Sequence, residues 1–503
     1  MKKTLAFFLA FGLCSVVCAQ IMPYPISHID VNNIRATILG HGCIKPPTDW
    51  DFDDNQSNPC PWYEVPQGSG CQTLYQVSLW FGGFDSINEL HFSGTKFNRG
   101  GWDFVMGPLR LENGSTDLMT QLKYMRIWNL TRGEIDNFIA HHGDSGYEIP
   151  KDILEWPAHG EEGFAPNLAP FVDVNGDGRY VPADGDYPDI KGDQCLFFIF
   201  NDACGHSESY GEPVGLEIHA MVYAFDAPDD EALNNTIFYN YKCFNRGQND
   251  YSDTYVGLFT AFGIGYWDDY EGCDVQRSSF YSYNANSSDG EGQSWTYGDN
   301  PPVQVVTVLA GPHMDADGRD NPAFDGVGEH LFNDEFPNDK FAYNGVNFGN
   351  GIADDERLGL CNFYGYGEYY SVIPESAIDY YNKLRMFWRN GSPVGYGCDY
   401  SGPACHFMVP CDSDPFNFGT DGIAPQDGYN TEGKYWNEEN CEWTPENRVG
   451  IGSMGPFTFS AGDMQEIDFA LITVWKNESQ SAMERRGEFI DHIKEFFFNG
   501  LKK

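Results

Sequence analysis

Positive charge is what this sequence has least of. Thirty lysines and arginines stand against 74 aspartates and glutamates, a formal net charge of −44. So anionic a surface repels nucleic acid and acidic lipid headgroups, which excludes binding either through a basic face. Long apolar runs are also scarce. Past the leader no stretch is apolar for the ~20 residues a membrane helix needs, so an integral membrane protein is not expected. No CxxC pair occurs, which argues against a zinc ribbon or a thioredoxin-like centre. HExxH, a phosphate-binding loop and a GxSxG elbow are missing too. No repeat of about 40–50 residues points to a propeller.

What is present begins with an export signal. Lys2 and Lys3 precede an apolar stretch from Leu5 to Val17, and Ala19 supplies the small residue before a cleavage site, leaving Gln20 as the new N-terminus. Residues 1–19 therefore read as a signal peptide. Acylation of Cys18 fits less well, because Val17 stands where a small residue is wanted. Removing Cys14 and Cys18 from the 14 cysteines leaves 14 − 2 = 12, an even set suited to disulfides in an oxidising compartment. Cys60–Cys71, Cys195–Cys204 and Cys405–Cys411 are the nearest pairings, although spacing does not determine connectivity.

At 503 residues, 41 % hydrophobic and 16 % aromatic, the chain can bury a large core. Ile34–Gly40, Thr73–Gly82, Glu89–Ser93, Gln194–Phe200, Thr236–Phe244, Thr254–Phe262, Ser278–Tyr283 and Val303–Ala310 have strand composition. In Leu216–Phe225 a period of two separates Leu216, Ile218, Ala220, Val222 and Ala224 from the residues between them. Pro456–Ser460 and Gln465–Trp475 flank a hairpin-like Ala461-Gly462-Asp463 turn. Helices are expected after the Thr131/Glu134 capping-box pair, over Pro374–Arg389 and over Ser481–Phe498. The expected fold class is mainly β: an antiparallel β-sandwich with a few helical insertions and long loops. An N-terminal β-rich region (20–190) and a larger region (191–503) are distinguished, able to form one compact unit.

One motif carries chemistry. Asp173-Val174-Asn175-Gly176-Asp177-Gly178-Arg179 through Asp184 sets side-chain oxygens at positions one, three, five and twelve of a twelve-residue loop, with glycine at six. Calcium wants 6–8 oxygens at ~2.3–2.6 Å, and alternate residues of a tight turn converge on a point. Asp173, Asn175, Asp177, Arg179 (through its carbonyl) and Asp184 are the expected ligands, with Asp186 as a reserve for the short Asp184 side chain. Pro182 and Pro188 exclude flanking helices, so the loop is EF-hand-like in a β setting. Asp315–Asp320 and Asn350–Glu356 are weaker versions of the same pattern. Asp268, Asp269 and Asp274, and Asp412 with Asp414, read as surface carboxylates.

Catalytic residues are not assigned. Gly143-Asp144-Ser145-Gly146 is similar to the nucleophile segment of trypsin-like proteases, but it follows a helix stop, and its neighbours Tyr147 and Glu148 do not fit. Among 74 acids no facing pair of the glycosidase kind stands out. Trp80 with Phe81, Trp267, and Tyr364 through Tyr370 could stack on sugars, though strands bury such residues as a rule.

Several segments together resemble a family. They are Leu79-Trp80-Phe81-Gly82-Gly83-Phe84-Asp85, Ala169 through Gly178, Gly185 through Gln194, Gly211 through Ile218, Asp269 through Asp274, and Gly455 through Phe459. The family comprises large secreted or surface proteins of Bacteroidota, usually cargo of the type IX secretion system. The resemblance runs from about Asn32 to Trp475 and implies a location rather than a reaction. It also implies a C-terminal sorting domain, which does not follow the last expected helix, so the cell surface and the periplasm both stay open. The expectation is a calcium-stabilised, disulfide-containing structural or adhesive protein with surface proteins or glycans as partners. A glycan-binding module or glycan-active hydrolase is the alternative.

Overall fold

The computed structural model describes residues 24–44, 62–96, 101–367, 374–425 and 435–502. The leader, Cys60, Tyr369 and Tyr370 lie outside the described residues. The first strands among the described residues are β1 (Ile26–Ile29), β2 (Arg35–Leu39) and β3 (Tyr63–Glu64). The hairpin β4 (Leu74–Phe84) and β5 (Leu90–Gly94) follows, then β6 (Val105–Met106) and β7 (Trp128–Thr131). A short ribbon, β8 (Phe171–Val172) and β9 (Tyr187–Pro188), comes next. The longer strands are β10 (Gln194–Asn201), β11 (Leu216–Ala224), β12 (Thr236–Asn245), β13 (Tyr251–Phe262), β14 (Asp269–Asp274), β15 (Ser279–Asn284) and β16 (Val303–Ala310). Last come β17 (Asn362–Gly367), β18 (Arg448–Phe459) and β19 (Met464–Val474). Six α-helices among the described residues are α1 (Leu118–Lys123), α2 (Arg132–His141), α3 (Lys151–Leu154), α4 (Glu231–Asn234), α5 (Ala377–Leu384) and α6 (Ala482–Phe498).

Two antiparallel sheets make the body. The larger runs β14-β15-β16-β19-β12-β11-β10, with β6 and β7 both on β10. The smaller runs β17-β18-β13-β4-β5. Strands from before residue 95 thus share a sheet with strands from beyond residue 445. Leu196, Phe198, Leu216, Ile218 and Val222 form one core with Val77, Leu79, Phe81 and Phe459 of the smaller sheet. The opposite face of the larger sheet is also covered. Phe197, Ile199, Met221, Tyr223 and Phe238 pack with Ile135 and Phe138 of α2 and with Phe489, Ile490, Ile493 and Phe496 of α6. This is why β11 alternates in sequence yet is buried along its whole length: its two faces enter two different cores. α5 closes the outer side of the smaller sheet, with Tyr380 against Trp80 at 4.7 Å and Tyr381 against Phe84 at 5.1 Å.

The protein is mainly β, 32 % strand against 15 % helix. α2 carries the expected capping box, with Thr131 and Glu134 reciprocally bonded. α6 has a second, formed by Ser481 and Glu484. Among the described residues no helix is long and apolar enough to cross a membrane. Cys398 and Cys441 are joined, whereas Cys71, Cys195, Cys405 and Cys411 are thiols. The Cys195–Cys204 and Cys405–Cys411 pairings therefore do not form, and Cys60–Cys71 involves a residue outside the described ones. Cys195 shows why: it sits within β10 in a closed ladder, its side chain committed to the core, and proximity in sequence does not supply the Cβ geometry a bridge needs.

Candidate functional site

The 173–184 turn is the loop of a β-ribbon. Phe171 pairs with Pro188 and Val172 with Tyr187, bringing the loop's two ends together. Inside it, Asp173 accepts from the Gly176 amide with one oxygen and from Gly178 with the other, both at 2.7 Å. Asn175 accepts from Asp177 N at 2.9 Å, and Asp177 from Arg179 N at 2.8 Å. Gly176 and Gly178 have φ of 75° and 77°, the left-handed region that lets these amides turn inward. The Gly178 amide, foremost among these donors, holds the Asp173 carboxyl below its ordinary range. Each carboxylate oxygen keeps a second lone pair for another partner.

The back of the loop is arranged differently. Residues 182–184 form one 3-10 turn, and Asp184 ends it exposed, with no side-chain hydrogen bond to the described residues. Asp186, two residues later, is fully buried. It accepts from Val174 N at 2.9 Å and Val181 N at 2.8 Å, tying the two arms together. No three carboxylates of this loop bring oxygens within 4.8 Å of one another. Asp173, Asn175 and Asp177 thus share one amide-held turn, and Asp184 stands apart from it. Tyr180 anchors the unit, its hydroxyl donating to Ile153 O at 2.6 Å and its ring edge-on to Phe171.

The two weaker acidic turns are one unit. Asp354 accepts from Asp317 N and Gly318 N, both at 2.8 Å. In return Asp320 accepts from Gly349 N at 2.9 Å and Gly351 N at 2.7 Å. Buried Glu356 takes the Asn321 amide. Asp315 leaves the group and receives Thr458 N and Oγ1 from β18.

Three acids read as surface groups are interior. Asp269, Asp274 and Asp414 are at most 4 % exposed. Asp414 accepts from Phe418 N and Gly419 N. Asp269 belongs to β14, which packs against β17 and β18 and carries Glu271 into the space between the sheets. There Glu271 donates its backbone amide to Glu438 Oε2 at 2.8 Å, and Arg448 Nε donates to the same oxygen at 3.1 Å. Arg448 also reaches Glu446 Oε1 at 3.2 Å. Gly365 makes the room, since a Cβ there would meet Glu271 Oε1 at 2.2 Å. Burial pushes the Glu271 and Asp269 carboxyls well above their usual range and raises Glu438 as well.

Of the aromatic candidates, Trp80, Phe81, Tyr364 and Tyr366 are buried and offer no face to solvent. Trp267 is 52 % exposed. Its ring lies 4.6 Å from Tyr266 and 6.5 Å from half-buried Trp295, while Tyr266 and Trp295 are nearly parallel, 17° apart at 6.0 Å. Beside them Asp268 receives the side-chain amides of Asn284 and Asn286. Sequence reasoning found Trp267 but missed Trp295, whose place beside it is set by the loop after β15. No family model matches the chain, and no curated protein matches it.

Proposed function

We propose that the chain is a secreted, calcium-stabilised β protein with a structural or adhesive role at the cell surface. The observation that supports this reading best is the β8–β9 loop, where Asp173, Asn175 and Asp177 are oriented by the loop's own amides. Those three side chains and the Arg179 carbonyl supply the front of an oxygen shell, and ion binding draws the exposed Asp184 in to close it. Each dication offsets two charges of a chain at −44. The leader and the resemblance to exported Bacteroidota proteins support the location. Calcium titrated into metal-free protein by calorimetry should give a site that Asp177→Ala removes. Identical titrations for the two proteins would refute it. N-terminal sequencing of material recovered outside the cytoplasm should begin at Gln20.

The Tyr266–Trp267–Trp295 cluster, with Trp267 exposed and its neighbours half-buried, favours a second reading, a glycan-binding surface. Aromatic faces stack on the apolar side of pyranose rings while nearby amides and carboxylates bond hydroxyls. The anionic surface selects neutral over acidic polysaccharides. Retention on an insoluble neutral polysaccharide that Trp267→Ala abolishes would establish it.

A further inference from the structure

At the tip of the β4–β5 hairpin, Asp85, Glu89 and His91 bring one ligand atom each within 4.8 Å of one another. The hairpin geometry sets them. Phe84 pairs with Leu90 and Gly83 with His91, so the five turn residues 85–89 and the first residues of β5 crowd one end of the ribbon. Asp85 Oδ1 accepts from Ile87 N at 3.0 Å and Glu89 N at 2.8 Å, which orients the carboxylate and presents Oδ2.

His91 decides what that oxygen faces. The residue is 9 % exposed, and its Nδ1 lies 2.6 Å from the carbonyl oxygen of Pro213. A carbonyl only accepts, so Nδ1 carries the proton and donates it there. In the neutral ring the lone pair is then on Nε2. Asp85 Oδ2 stands 3.6 Å from this atom, beyond hydrogen-bonding range. Among the described residues no lysine or arginine pairs with Asp85 or Glu89. Two carboxylates and Nε2 thus converge on one point, where among the described residues the only cationic group is His91 itself when its ring is protonated against Asp85.

That spacing suits a metal. Ligand atoms ~2.0–2.2 Å from a four-coordinate zinc ion are roughly 3.3–3.6 Å apart. A histidine whose second nitrogen donates to a backbone carbonyl is the usual outer-shell arrangement for such a ligand. We propose that Asp85, Glu89 and His91 bind a zinc-class divalent ion through two carboxylate oxygens and Nε2, leaving a fourth position open. The nitrogen ligand separates this site from the all-oxygen β8–β9 loop, which calcium prefers. The ion would also pin the 209–214 segment, which joins β5 through the parallel His91–Glu212 bridge and the Phe92 N to Glu212 O bond at 3.0 Å.

The test is calorimetric titration of zinc into chelator-treated mature protein held in excess calcium, with cobalt substitution as a spectroscopic companion. One ion per chain should bind. Glu89→Gln, a change at an exposed turn position, and His91→Asn, which keeps an amide for Pro213, should each weaken it roughly tenfold or more. The cobalt spectrum should show nitrogen and oxygen ligands without a thiolate charge-transfer band. Absence of zinc binding, or binding of equal strength in both variants, overturns the proposal. A thiolate band overturns it too, by moving the ion to the cysteines.

Discussion

The β8–β9 loop and the space between β14, β17 and β18 treat the same functional group in opposite ways. In the loop, backbone amides surround Asp173 and favour its charged form. Between the sheets, Glu438 holds the Arg448 guanidinium, and burial favours the protonated form of Glu271 beside it. The loop keeps its charge because it is wet and supplied with donors. Glu271 cannot, because Arg448 is bonded to Glu438 and Glu446 and leaves it out of water with no bonded cation among the described residues. An acidic composition therefore does not make every acid a surface group. Location decides whether it is an anion seeking a cation or a neutral acid filling a core.

The largest effect should come from removing that guanidinium. Arg448→Met leaves Glu438, 2 % exposed, without its partner. Losing one member of a buried pair costs about 3–5 kcal/mol. Urea unfolding at pH 7 measures it. A loss under about 1 kcal/mol would mean that Glu438 too is neutral at pH 7 and that Arg448 contributes only packing.

How much of this contrast could be read in advance depends on range. Strands such as β11 and β16, and the α2 capping box, announce themselves within ten residues, because alternation and caps are local. Asp173, Asn175 and Asp177 were legible for the same reason. Asp186 was read only as a reserve ligand, since its structural role follows from β-ribbon closure rather than from loop spacing. β14 was hidden by its own composition: Asp269-Tyr270-Glu271-Gly272-Cys273-Asp274 reads as an acidic turn until β15 pairs with it and β18 covers it. The 315–321 and 349–356 turns each looked incomplete because their acids cap each other across more than thirty residues. The Cys398–Cys441 bridge spans 43 positions and leaves no local signature either.

Metal removal is the next effect in size. If the β8–β9 loop holds calcium, saturation at about 100 times the dissociation constant adds about 2.7 kcal/mol. A calcium chelator should then lower the melting temperature by several degrees in the parent and hardly at all in Asp177→Ala. Equal melting of the parent with and without chelator removes calcium from the comparison and leaves amide capping as the loop's whole account. Asp186→Asn follows at about 1.5–3 kcal/mol, because one of the two amides bonded to this buried carboxylate, Val174 N or Val181 N, would face an NH2 group instead of an oxygen. Calorimetry of the variant without calcium isolates this contribution, and an unchanged transition would show that the ribbon strands alone close the loop.

The smallest effect tests the contrast most directly, since it concerns sign rather than size. Glu271 has its folded-state pKa raised above the ordinary 4.5, so the folded protein binds the extra proton. Its contribution is complete below about 4.5 and fades as pH rises through the higher folded value. Asp173 is the reverse: its pKa lies below the ordinary 3.8, and its contribution is present above that value and fades on acidification. Glu271→Gln imitates the protonated side chain at every pH. At pH 5 it should leave stability nearly unchanged; at pH 8 it should raise it by about 1 kcal/mol or more, one pKa unit being worth 1.36 kcal/mol. Asp173→Asn should instead cost stability at pH 8 and progressively less below pH 4. Parallel pH profiles for the two variants would mean that both carboxylates stay charged in the folded chain, and that Arg448 neutralises Glu271 after all.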